Sequence, residues 1–162
     1  MLTVYRTVKV KYEHEPLATE GARLFGGRWN PKGYALLYTT SSPALALVES
    51  LVHQPRVKYE KLPKLMLFTL DVPNDVTFFP PTELPAYWND ENYERTQWIL
   101  RDWLNNPVTL IAAVPSVVVP MSYNYLVYPG HPGFSKIQVV KQEHFPIAHR
   151  LWHENDSPGI IG

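Results

Sequence analysis

Two charged residues stand out because of where they lie. The stretch from Gly26 to His53 reads GGRWNPKGYALLYTTSSPALALVESLVH, and it sets one arginine and one glutamate into segments otherwise built for burial. Arg28 sits between Gly27 and Trp29, and Glu49 is the only charged residue between Lys32 and Arg56. A charge in such surroundings is costly unless it is paired or used. The planar guanidinium of Arg28 can grip a phosphate or carboxylate through two parallel hydrogen bonds. It could equally pair with Glu49 or stack on Trp29. Glu49 is expected about 40° past Leu45 on a helical wheel, at the edge of the apolar stripe of Leu45, Val48 and Val52. Together the two charges suggest a site that holds an anionic substrate and stabilises a cationic transition state.

Other residues add weaker signals. Arg6, beside Tyr5, repeats the arginine argument but taken alone reads as a surface charge. Ser116 follows Pro115 at an expected strand break, either as a turn-former or with its hydroxyl towards a pocket. It lacks the G-x-S-x-G elbow of a hydrolase nucleophile. Tyr38 reads as a strand residue, either core or a stacking surface for a flat ring. Of the six histidines, only His149 and His153 have a metal-like spacing, and without a third ligand they read as a solvated face. No metal site is expected. Neither Walker A nor G-x-G-x-x-G is present, so a nucleotide would have to be held by arginines.

The elements that must position these residues follow from pattern. Leu2–Tyr12 reads as a strand of period two, and residues 13–24 read as a loop. Phe25–Asn30 and Tyr34–Thr39 read as two strands joined by Asn30-Pro31-Lys32-Gly33, which is turn chemistry. Ser42-Pro43 starts a helix, with Ser as N-cap and Pro at the first position, and that helix runs to about His53. Leu65–Val72 reads as a strand buried on nearly both faces. Residues 73–90 read as a long ordered loop rich in proline and aromatics. Asn89–Asn105 reads as an amphipathic helix, with Tyr93, Leu100, Trp103 and Leu104 inward. Val108–Val114 and Val117–Val119 read as strands, as do Tyr123–Tyr128 and Lys136–Val140. Strands dominate with two helices between them, which is the α+β class.

Composition bounds the rest. The 162 residues suit one domain over 1–162 with a real core. There is no cysteine, which fits a reducing compartment and excludes thiol nucleophiles and Cys-ligated metals. Lys and Arg balance Asp and Glu at 15 each, so a nucleic-acid binder is not expected. The N-terminal stretch has no signal-peptide core, and no apolar run approaches the ~18 residues of a membrane span. A cytoplasmic protein is the expectation.

Four ordered blocks resemble the RES-domain family, toxins of bacterial toxin–antitoxin pairs: GGRWNPKG at 26–33, YTTSSPALALVESLVH at 38–53, VPSVVVP at 114–120 and NYLVYPGHPGF at 124–134. The resemblance assigns the family's Arg, Glu and Ser to Arg28, Glu49 and Ser116 as catalytic residues. It adds Tyr38 and Arg6 and, with Arg28 and Ser116, places them on NAD. It implies an ADP-ribosyltransferase-like fold of small β-sheets with flanking helices, and NAD as substrate with no resident cofactor. It also implies a helix-turn-helix, Xre-type antitoxin as partner, and it allows a homodimer within that complex. The implied activity is cleavage of the nicotinamide–ribose bond, with ADP-ribose passing to water or phosphate. Transfer of ADP-ribose to a protein is the close alternative. A non-catalytic binding module, with Arg28 and Glu49 as a structural salt bridge, is the second.

Overall fold

In the computed structural model, residues 1–153 are described. Seven strands form one sheet in the order β4-β5-β6-β2-β1-β3-β7. They are β1 (Leu2–Lys9), β2 (Leu37–Thr40), β3 (Leu65–Val72), β4 (Val76–Phe78), β5 (Ile111–Pro115), β6 (Tyr123–Val127) and β7 (Gln138–Phe145). All neighbours are antiparallel except β4 and β5. The α+β class holds, but a single continuous sheet replaces the several small ones expected. The four α-helices among the described residues are α1 (Glu20–Phe25), α2 (Pro43–Val52), α3 (Tyr93–Thr96) and α4 (Arg101–Asn105). No helix among the described residues is long and apolar enough to cross a membrane.

The sheet carries a hydrophobic cluster on each face. Val4, Leu37, Phe68, Leu70, Ile111 and Val127 belong to the first. Ala112, Val114 and Leu126 join Trp29, Trp88, Leu100 and Trp103 in the second. Registers place Tyr5 opposite Thr40, Thr40 opposite Asn124, and Asn124 opposite Val114. Paired residues share a face, so these positions lie on the face of the second cluster. Helix α2 covers the same face, because its Ser50 hydroxyl bonds that of Thr7, two residues on from Tyr5.

Helix α2 forms as its sequence dictates. Ser42 Oγ accepts the Leu45 backbone N–H at 3.1 Å, and Pro43 occupies the first turn. Ser42→Ala is expected to cost about 1 kcal/mol, read as a lowered urea midpoint with an unchanged slope. An unchanged midpoint would show that the cap does not support the fold.

Several expected elements differ. Helix α1 (Glu20–Phe25) takes up the end of the segment 13–24 read as loop and the first residue of the strand expected at Phe25–Asn30. Phe25–Asn30 is not a strand, because Gly26 ends α1 with φ +69° and its N–H bonds Ala22 O. The backbone then bonds locally, Gly27 N–H to Asn30 O at 2.8 Å, and never joins the sheet. Asn89–Asn105 is two short helices, with the break beginning where buried Thr96 donates its hydroxyl to Arg28 O at 2.8 Å. Leu100, Trp103 and Leu104 are buried as expected, but Tyr93 is 38% exposed. Residues 117–119 bend instead of forming a strand, because the N–H groups of Val118 and Val119 turn back onto Ser116 Oγ. The expected loop at 73–90 contains the short edge strand β4. The strand expected at Lys136–Val140 runs on to Phe145 as β7.

Candidate functional site

Glu49 projects from the end of the second turn of α2 and is half-buried. Its Oε1 accepts two hydrogen bonds, from Ser116 Oγ at 2.6 Å and from Asn124 Nδ2 at 2.8 Å. Ser116 stands just past β5 and Asn124 lies in β6. The Ser116 hydroxyl is fully committed. It accepts the N–H groups of Val118 and Val119 at 3.1 Å each, so its single proton points to Glu49. Ser116 is 0% exposed. It holds the carboxylate, and its proton and both lone pairs are engaged within the protein. Oε1 is saturated, whereas Oε2 has no hydrogen bond among the described residues.

The arginines occupy a second locale. Strand β1 meets β2 at Tyr5–Thr40, and just beyond it Arg6 reaches across to Tyr38 O at 3.4 Å and to Ala18 O at 2.9 Å. Its Nε is buried without a partner, and burial pushes the guanidinium pKa down to about 10. At neutral pH it is therefore still a cation, and it has no carboxylate partner among the described residues. This corrects the reading of Arg6 as a surface charge. Arg6, Tyr38, Gly21, Gly26 and Leu36 line a cavity of about 260 Å³.

Tyr38 connects this cavity to the loop that carries Arg28. Its hydroxyl donates to Asn30 Oδ1 at 2.5 Å and accepts from Trp29 N–H at 3.3 Å. Burial pushes the phenol pKa up, so the proton stays on. Asn30, 0% exposed, is the loop's internal brace. Its amide donates to Ala22 O and Tyr34 O, both at 2.9 Å, and to Pro31 O at 3.3 Å. A Cβ on Gly27 would meet the Tyr38 hydroxyl at 2.8 Å, so only glycine allows the loop to lie this close.

Arg28 itself is held along one edge. Nη1 donates to Asp90 O at 2.5 Å and Trp88 O at 3.4 Å, and the guanidinium lies over the Tyr93 ring at 4.9 Å. Among the described residues no ion pair joins Arg28 to Glu49. The salt bridge on which the binding-module reading rested is absent from them. Sequence reasoning also passed over Asn30 and Asn124. Both lie inside the quoted blocks, but a lone Asn in a turn or strand gives no sign of its partners. His149 and His153 are exposed as expected. No group of three His, Asp or Glu among the described residues could hold a metal ion.

Comparison with known proteins gives the family and the fold. Residues 3–148 match the RES domain, and the chain belongs to that family. It is similar to the "Toxin Res" of Yersinia enterocolitica, 33% identical over 135 residues, covering 82% of this chain and 88% of that protein. It is also similar to the "Prs ADP-ribosylating toxin" of a Sphingobium species, 35% identical over 136 residues, covering 80% and 83%. A chain of the M. tuberculosis MbcT–MbcA toxin–antitoxin complex shares the fold, with a TM-score of 0.68 at 20% identity over 88% of this chain and 83% of that one.

Proposed function

We propose that this protein is the toxin of a toxin–antitoxin pair and that it consumes NAD by breaking the bond between nicotinamide and ribose. The observation that carries the reading is Glu49, anchored through Oε1 and open at Oε2. In this cleavage the ribose C1′–N bond breaks and its electron pair leaves with the nicotinamide nitrogen. C1′ becomes an oxocarbenium-like centre, as in other glycoside cleavages. A carboxylate held beside it stabilises the developing positive charge without reorganising. Water, giving up a proton to solvent, or inorganic phosphate then bonds C1′ and completes the reaction. Arg6 and the free edge of Arg28 are suited to the pyrophosphate, and Tyr38 lines the same cavity. NAD is substrate here and not a resident cofactor, and the protein works in the cytoplasm where NAD is abundant.

The names of its relatives support the toxin assignment, and the complex that shares its fold supports an antitoxin partner. We expect that partner to carry a helix-turn-helix domain. The name of the Sphingobium relative favours a second reading, in which ADP-ribose passes to a protein. Both begin with the same bond cleavage and differ in the acceptor. Purified protein is incubated with NAD, with and without phosphate, and the products are separated by chromatography. Free nicotinamide with ADP-ribose or its phosphorylated form supports the NAD-consuming reading. Nicotinamide released only when lysate protein becomes labelled supports the second. No nicotinamide under either condition overturns both.

Arg28→Lys keeps the charge but not the two-pronged donor. KM for NAD should rise roughly tenfold or more, while kcat at saturation falls less. The loss of one charge-assisted hydrogen bond sets that scale. Equal NAD affinity for variant and wild type in calorimetry would remove Arg28 from the phosphates.

A further inference from the structure

The amide of Asn124 is used on one side only. Nδ2 donates to Glu49 Oε1 at 2.8 Å, while Oδ1 is buried and has no hydrogen-bond partner. An unpartnered buried acceptor destabilises a fold, and an apolar residue at this place would avoid that penalty. The reverse orientation of the amide would set its oxygen against the carboxylate and lose the one bond it makes. Asn124 is therefore held in place by Glu49, and Glu49 by Asn124.

The strand pairing explains how the two anchors meet. Asn124 lies opposite Val114, and just past that pair Ser116 N–H bonds Ser122 O at 2.8 Å. The two donors thus come from adjoining strands, both reaching the same oxygen from beneath α2. One hydrogen bond would leave the carboxylate free to swing about χ3. Two donors on one oxygen define the carboxylate plane and hence the direction of Oε2.

We infer that Asn124 is a positioning residue, a second anchor beside Ser116, which turns Glu49 Oε2 toward the reacting centre without itself touching the substrate. The inference rests on the catalytic reading of Glu49 given above. Its test therefore includes a measurement that needs no NAD.

The kinetic arm uses Asn124→Leu, which removes donor and orphan acceptor together, and Asn124→Asp, which keeps the shape but replaces the donor with an oxygen. Both should lower kcat roughly 10–100-fold, the usual scale for losing a group that orients a functional side chain. KM for NAD should stay within about twofold, because Asn124 makes no substrate contact. The second arm follows the side-chain amide signals of Asn124 by ¹H–¹⁵N NMR in the free protein. The proton directed at Glu49 should resonate downfield and move back in Glu49→Gln, which lacks the charge. Wild-type kcat in both variants would overturn the inference, as would a raised KM at unchanged kcat, which marks a substrate contact. An amide signal indifferent to Glu49→Gln would overturn it too. Loss of the folded state in both variants would assign Asn124 to stability and also overturn it. A responsive amide signal in a wild-type protein that releases no nicotinamide would sink the NAD reading and leave the anchor standing.

Discussion

Glu49→Gln is expected to lower kcat for nicotinamide release by roughly 10²–10³, the scale for removing one preorganised electrostatic stabiliser. The substitution is unusually clean here. The glutamine carbonyl oxygen can still accept from Ser116 Oγ and Asn124 Nδ2, so both anchoring bonds at 2.6 and 2.8 Å have a counterpart. What changes is the other position, where an open carboxylate oxygen becomes an amide NH₂. The loss should therefore fall on the charge facing the oxocarbenium and leave folding nearly untouched. Initial rates by chromatography and a urea titration on the same preparation separate the two. Near-normal turnover would remove Glu49 from catalysis. A large drop in unfolding midpoint would assign the carboxylate to the scaffold.

The second large effect is structural in origin and functional in outcome. Asn30→Ala should destabilise the protein by roughly 3–5 kcal/mol, since each buried group stripped of its partner costs about 1–3 kcal/mol. The variant deprives the carbonyls of Ala22, Pro31 and Tyr34 of their shared donor and leaves the Tyr38 hydroxyl without its acceptor. These groups brace the loop that presents Arg28 and bring it onto Tyr38. NAD affinity should fall with stability, even though the scheme gives Asn30 no substrate contact of its own. Tyr38→Phe removes two bonds of the same network, the long one from Trp29 N–H included, and should cost only about 1–2 kcal/mol. Comparison of the two urea midpoints tests the brace. Equal, small losses would show that the loop is held by packing alone.

The tests also bear on how the toxin is controlled. On the NAD-consuming reading proposed above, the protein must be restrained in its own cell. Expression of this chain alone should arrest growth and lower cellular NAD, and co-expression of an antitoxin should reverse both. Arrest with unchanged NAD would favour the protein-modifying reading.

Much of the scaffold was legible in the sequence, because it follows from local rules. Ser42-Pro43 starts α2 where capping chemistry places it, and the 3.6-residue period sets Glu49 at the edge of the apolar stripe, half-buried as found. Leu65–Val72 is a strand with the expected boundaries, since a run of apolar residues bounded by prolines and lysine has few other fates. The local rules failed where side chains competed with the backbone ladder. Asn30 captures three carbonyls and Ser116 two N–H groups, and each turns an apparent strand into a loop wrapped round its own side chain.

Only the tertiary structure decided which charged and polar residues meet. Ser116 and Asn124 lie 67 and 75 residues from Glu49 in the chain, and no periodicity reports on partners that distant. Helix α2 packs on β1 and β2, and strand order sets β6 beside β2 and β5 beyond it, within reach of Glu49; that order is set by which apolar faces bury together across the sheet. The same packing holds Arg28 by the carbonyls of Trp88 and Asp90 and leaves Arg6 buried without a carboxylate. Residue types at 28 and 49 suggested a site for an anionic substrate and a cationic transition state. The two-donor anchor at Glu49 and the cavity lined by Arg6 and Tyr38 both arose from long-range burial, which a linear pattern does not encode.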